Sequence, residues 1–162
     1  MGALRGRLTL TERHEPVTTR REWHSHIKPH NGYRSKFEAE VAAQLVRAGV
    51  KFSYETGRIR YSNAANPCGV YIPDFTIFRL DGSTFYIEAK GWIDQRAHNK
   101  LSAVRLQHPE LDLRFVFQCG TTKVARLKSN VCQWAKRKRW LWSVRDVPTE
   151  WLTEATPDQA TT

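Results

Sequence analysis

Three residues in the middle of the chain could do chemistry together. Asp74, Glu88 and Lys90 lie in "YIPDFTIFRLDGSTFYIEAKG", residues 71–91, a segment otherwise rich in Ile and Phe. Two carboxylates held close repel, and one of them takes up a proton. A divalent cation between them reverses this, because it needs anionic oxygens and keeps both ionised. Such a cation neutralises a phosphate and lowers the pKa of its bound water. A neighbouring ammonium would orient that water or stabilise the charge that develops.

Whether the acids meet depends on strand register. If Asp81-Gly82 formed a two-residue turn, Asp74 would face Ala89 and Glu88 would share the face of Phe75. A loop of Leu80-Asp81-Gly82 instead puts Gly82 in the left-handed conformation that glycine tolerates best. Phe75 then faces Ile87, Ile77 faces Phe85, Asp74 faces Glu88, and Lys90 lies one pleat along. This register separates apolar from charged residues, and a slip of one would drive the acids into the core. Opposed Cβ atoms lie roughly 4.5–5.5 Å apart. Geometry alone leaves two readings open, a rigid metal-holding surface or a solvated outer face with a Lys90–Glu88 pair.

The surrounding pattern supplies the elements that would hold this hairpin. "SKFEAEVAAQLVRAG", 35–49, has Phe37, Val41, Leu45 and Ala48 on one helical face, a Ser35/Glu38 capping box and Gly49 as C-cap. Residues 50–61 read as a strand or bent strand pair, and 62–69 as a loop. Asp94 caps a helix over 94–107, and 111–119 alternates as a central strand. A short helix spans 129–139, "RWLWSV" is a last strand, and "VPTEWL" is a turn with a helical fragment. The order predicts a mixed α/β domain over 33–153, between a flexible basic arm, 1–32, and a disordered tail, 154–162.

The 162 residues carry a net charge of +10, which favours a polyanionic partner. From Lys123 to Arg139 the chain holds Lys123, Arg126, Lys128, Lys136, Arg137, Lys138 and Arg139 and no acid, a pattern suited to a DNA backbone. Arg34 and Lys36 are further candidates. No base-reading motif is present, so shape rather than sequence selectivity is expected. No apolar run is long enough to cross a membrane and no signal peptide is evident, so a cytoplasmic protein is expected. Cys68, Cys119 and Cys132 lack CxxC spacing and read as reduced structural thiols, not a disulfide scaffold or zinc ribbon. His24, His26 and His30 read as exposed arm histidines. Trp134, Trp140, Trp142 and Trp151 read as core or dimer contacts.

Pro73, Asp74, Glu88 and Lys90 match the PD-(D/E)xK nuclease pattern, which is loose by itself. Five blocks in order, "YRSKFEAEVAAQLVRAGVKFSYE", "YIPDF", "EAKGW", "QHPELDLRFVF" and "VPTEWL", closely resemble the phage endonuclease I family of Holliday-junction resolvases over about 33–153. The resemblance implies a restriction-endonuclease-like sheet flanked by helices and a homodimer that exchanges its first helix. It implies cutting of four-way and other branched DNA, with two Mg²⁺ or Mn²⁺ per active site. By the same matching, Asp74 and Glu88 are metal ligands, the Ala89 carbonyl a third, Lys90 the catalytic lysine and Glu38 the helix-borne glutamate. Glu40 competes with Glu38 for that place. The hairpin between Asp74 and Glu88 is longer than the family pattern, by an even number that preserves the facing of the acids. The alternatives are a nuclease of the same superfamily acting on linear duplex in restriction, repair or transposition, and a non-catalytic DNA-binding module.

Overall fold

The hairpin at 71–91 is the axis of the fold. In the computed structural model, which describes residues 30–158, its strands are β4 (Phe75–Phe78) and β5 (Thr84–Lys90). Phe75 pairs with Ile87 and Ile77 with Phe85, the register that segregates apolar from charged side chains. Gly82 has φ +81°, and Arg79 N–H donates to the Ser83 carbonyl at 2.9 Å across the turn. Asp74 immediately precedes β4 rather than lying within it.

A helix, α1 (Lys36–Arg47), comes first. Its apolar face carries Phe37, Val41 and Leu45 into the core. Ser35 caps it by accepting from Glu38 N–H at 3.1 Å. The expected box is half made: the Glu38 carboxylate accepts from the Arg34 N–H and the Ser35 hydroxyl, not from the Ser35 N–H. Gly49 at φ +63° ends the helix, with Gly49 N–H on the Val46 carbonyl and Val50 N–H on that of Leu45, a Schellman closure.

The segment 50–61 divides into β1 (Phe52–Tyr54) and β2 (Ile59–Asn63), broken where Glu55 takes φ 54°. The two strands join different sheets. Residues 62–69 are not all loop, since β3 (Asn66–Tyr71) pairs back on β2. Asn63 Oδ1 accepts from the N–H groups of Ala65 and Asn66 at 3.1 and 2.8 Å and forms the turn. Gly69 has no side chain because the Tyr61 ring lies 2.5 Å from where its Cβ would stand.

After β5 come α2 (Gln95–Gln107), β6 (Leu113–Phe117), α3 (Val131–Arg137), β7 (Leu141–Val144) and α4 (Thr149–Thr153). The main sheet runs β1-β4-β5-β6-β7. Its first three strands are antiparallel, while β5, β6 and β7 are parallel. Parallel neighbours need crossovers, which α2 and α3 supply. One core packs α1, Val147 and Trp151 against Phe75, Ile77, Phe85 and Ile87. The other packs Leu101, Val104, Trp134, Trp140 and the β2–β3 ribbon against Phe115 and Phe117. All five residues of β6 are buried, as its central place requires.

Residues 154–158 are not a free tail. Ala155 is buried, Arg79 bridges to Ala155 and Val50 to Pro157, and Thr156 bonds both Lys51 and Phe78. The proposed arm lies outside the described residues except for 30–32. His30 is exposed, and among the four tryptophans Trp142 is on the surface. All three cysteines are free thiols, and Cys68 and Cys119 are exposed rather than structural.

Candidate active site

The two hairpin acids converge. Asp74 is 1% exposed and Glu88 2%, so neither belongs to a solvated outer face. The Asp74 N–H donates to Glu88 Oε2 at 3.2 Å, and Ala89 N–H donates to Asp74 Oδ2 at 2.9 Å. Lys90 Nζ lies 2.7 Å from Glu88 Oε1. The hairpin creates this arrangement. β4 starts one residue after Asp74, leaving the Ala89 N–H without a ladder partner, and the aspartate takes it. Peptide groups of Tyr86 and Lys90 bond towards β6. The intervening Ala89 therefore points both its N–H and its carbonyl to the Asp74 side.

Burial pushes the Asp74 carboxyl well above the usual carboxylate range, and the charge of Glu88 adds to it; Lys90 and the Ala89 N–H oppose the shift. Burial alone would lower Lys90, but the charges of Glu88 and Asp74 outweigh it and hold the ammonium raised. The site thus sets two buried carboxylates against one lysine, an arrangement that favours a proton or a cation at Asp74. Two buried carboxylates and a peptide carbonyl are hard oxygen donors, and they fit a divalent cation such as Mg²⁺ or Mn²⁺.

Glu38, on α1, is 9% exposed and within electrostatic reach of Asp74. Its oxygens are already engaged. Oε2 accepts from the Tyr54 hydroxyl at 2.5 Å and from Arg34 N–H at 3.2 Å, and Oε1 from Ser35 at 3.0 Å. Accordingly, among the described residues no three His, Cys, Asp or Glu side chains gather at metal-ligand spacing. Arg34 pairs with Glu55 and reaches Asp74 Oδ1 at 3.7 Å, while Glu40 is only half-buried. A cleft of about 490 Å³ opens over Glu38 and Lys90, lined also by Lys36, Ala89, Trp92 and Gln118.

Comparison with known proteins bears on this constellation. Residues 21–161 match the family model described as phage endonuclease I. The chain belongs to the phage endonuclease I family. It is 30% identical over 129 residues to "Endonuclease I" of Escherichia phage T7, covering 79% of this chain and 83% of that protein. It is 32% identical over 117 residues to "Endodeoxyribonuclease 1" of Enterobacteria phage T3, covering 72% and 74% respectively.

This endonuclease I family chain divides its candidate DNA-binding cations between two places. Arg34 and Lys36 stand at the acid site, both exposed. Lys123, Arg126 and Lys128 are exposed on the loop after β6, which is tied to the site by Ala125 N–H donating to the Ile93 carbonyl at 2.9 Å. Lys136, Arg137, Lys138 and Arg139 lie at the other end of α3, where the carbonyls of Lys138 and Arg139 accept from Arg105. The two groups meet along α3, where Lys128, Lys136 and Arg137 line one cleft. Arg137 donates to the Ser129 hydroxyl at 2.6 Å.

Sequence reasoning missed Tyr54, which fixes Glu38, and Tyr71, which is buried with its hydroxyl beside Glu88. Both tyrosines lie inside the quoted blocks, but a tyrosine in a strand reads as core. It also missed Arg114 on β6, 3% exposed, which binds Asp112 and Glu154 and stacks 4.0 Å over the Phe85 ring.

Proposed function

We propose that this chain is a structure-selective DNA endonuclease that hydrolyses phosphodiesters of four-way (Holliday) junctions and other branched DNA with a divalent metal. The observation that carries this reading is the pair Asp74 and Glu88, buried side by side with Lys90 on one oxygen. Within a molecule of net charge +10, that pair is a concentrated negative spot in a positive field.

Asp74, Glu88 and the Ala89 carbonyl would hold the metal, Mg²⁺ or Mn²⁺, and Glu38 would complete a second position on leaving Tyr54. A bound divalent cation supplies charge neutralisation at the phosphate and a more acidic water. Lys90, already fixed beside Glu88, presents its ammonium to the attacking water or the developing charge. Arg34 and Lys36 at the mouth, and the cations from Lys123 to Arg139, hold the DNA backbone without reading bases. The active form is a homodimer that exchanges its first helix, so that two sites make paired cuts across a junction.

The test is cleavage of a four-way junction and its matched linear duplex in Mg²⁺, Ca²⁺ or chelator. Junction cutting in Mg²⁺ and none in chelator supports the reading. Equal cutting of the duplex would make this a nuclease of linear DNA, and cutting of neither would make it a binding module.

A further inference from the structure

A second cleft, of about 530 Å³, lies between α2 and the β2–β3 ribbon, with Asn63, Asn66, Asp94, Arg96, Asn99 and Lys100 on its walls. It shares Asp94 and Ala97 with the cleft over Lys90, so the two adjoin as one trough past Lys90. Among these lining residues Asp94 is the one acid. Its Oδ1 is already used as the cap of α2, accepting from Ala97 N–H at 2.6 Å. The Asn99 side-chain oxygen accepts from Gln95 at 2.8 Å. What faces the trough is therefore mainly hydrogen-bond donors and positive charge.

Lys100 is the unusual member. It is half-buried, and its Nζ stands 5.3 Å from the centroid of the Tyr71 ring. It makes no ion pair or hydrogen bond among the described residues, whereas Lys90 is paired with Glu88. An ammonium withdrawn from water without a partner is costly, and an aromatic face recovers part of that cost. Burial holds Lys100 below the usual lysine range, and the attraction of Glu88 and Asp74 is opposed by the positive charges of Lys90 and Arg34. Beneath it the Tyr71 hydroxyl is buried beside the Glu88 carboxylate. A half-desolvated cation on a rigid helix, supported from below and lacking an anion, is built to receive one.

We propose that Lys100 binds a DNA backbone phosphate and grips the strand as it leaves the acid pair along the trough between α2 and the β2–β3 ribbon. The inference rests on the nuclease reading of the adjoining site. A compact ammonium donates to any phosphate oxygen without a fixed approach, so this contact positions DNA and carries no sequence preference. It would also give the β2–β3 ribbon a function, as the outer wall of the path.

Lys100→Gln keeps the stem and removes the charge; Lys100→Arg restores the charge. The measurement is the affinity for a labelled four-way junction in Ca²⁺, by fluorescence anisotropy, from about 50 to 200 mM salt. Lys100→Gln is expected to weaken binding several-fold and to reduce the slope of log affinity against log salt by about 0.9, and Lys100→Arg to recover both. The DNA-free protein melts no lower than the parent, because the uncompensated ammonium is gone, and its Mn²⁺ affinity does not fall. Parent-like affinity and slope in Lys100→Gln would overturn the proposal. So would a loss that arginine does not repair, or a marked rise in Mn²⁺ affinity without DNA, which would place Lys100 on the acid pair rather than on DNA. Failure of the nuclease reading shows separately, as a parent protein that cuts neither junction nor duplex in Mg²⁺.

Discussion

Asp74 is a buried acid facing a second buried acid. Its pKa is raised in the folded protein, first by burial and then by Glu88. The sign follows directly: folding is disfavoured as pH rises from the ordinary aspartate value of about 3.9 towards the raised one. Asp74→Asn removes that penalty while its side-chain carbonyl can still accept from Ala89. In chelator, thermal melts should show no gain for Asp74→Asn at the acid end and a growing gain as pH rises; a loss at neutral pH would contradict the buried-charge account. Arg114 shows the opposite arrangement. Asp112 is held low despite burial because Arg114 and Arg79 bond it, and Glu154 is held low by Arg114. Depressed carboxylates stabilise above the unfolded pKa, and that stability is lost as pH falls through their folded values. Arg114→Met should cost about 2 kcal/mol in urea unfolding near neutrality, below a fully buried pair because Asp112 and Glu154 are partly exposed. It should also flatten the decline in stability below about pH 4. An unchanged acid limb would show that the network does not carry it.

At the scale of elements, the hairpin was legible and the ribbon beside it was not. The period-2 alternation of Phe75, Ile77, Phe85 and Ile87 and a glycine at the turn admit one register, and Gly82 at φ +81° realises it. No atom lies within 4 Å of a Cβ built at Gly82, so Gly82→Ala should cost only its backbone conformation, roughly 1–2 kcal/mol by urea denaturation. The cutting rate well below the melting temperature should be unaffected. A much larger loss would mean the turn is held by contacts the structure does not contain. The β2–β3 ribbon escaped because "SNAANPCG" has loop composition, and its pairing depends on the Tyr61 ring lying over Gly69. Helix α1 was legible from its spacing, but the partner of Glu38 was not: Tyr54 sits 16 residues away and meets it only through the fold. Tyr54→Phe should lower stability by about 1 kcal/mol and leave Glu38 with fewer bonds to break. Under the proposed two-metal reading, it should not weaken Mn²⁺ binding in titration calorimetry.

At the scale of the molecule, charge separates into a buried negative site and an exposed positive surface. The positive surface was legible as a run without acids, yet the gathering of Lys128, Lys136 and Arg137 around one cleft was not, because sequence distance does not show which way a helix turns the chain. Residues 154–158 escaped for a similar reason: a polar terminal stretch reads as solvent-facing until the diverging ends of β1 and β4 offer it backbone partners. The exchanged dimer is expected to appear in light scattering at twice the 18.8 kDa chain mass, and a monomer at micromolar concentration would remove the paired-cut proposal. The most direct test of the account is single-turnover cutting of a four-way junction in Mg²⁺ by Lys90→Ala, alongside its affinity for the same junction in Ca²⁺. The prediction is cutting reduced by about 10²–10³-fold with affinity nearly unchanged; cutting at the parent rate would contradict the claim that Asp74, Glu88 and Lys90 form one catalytic centre.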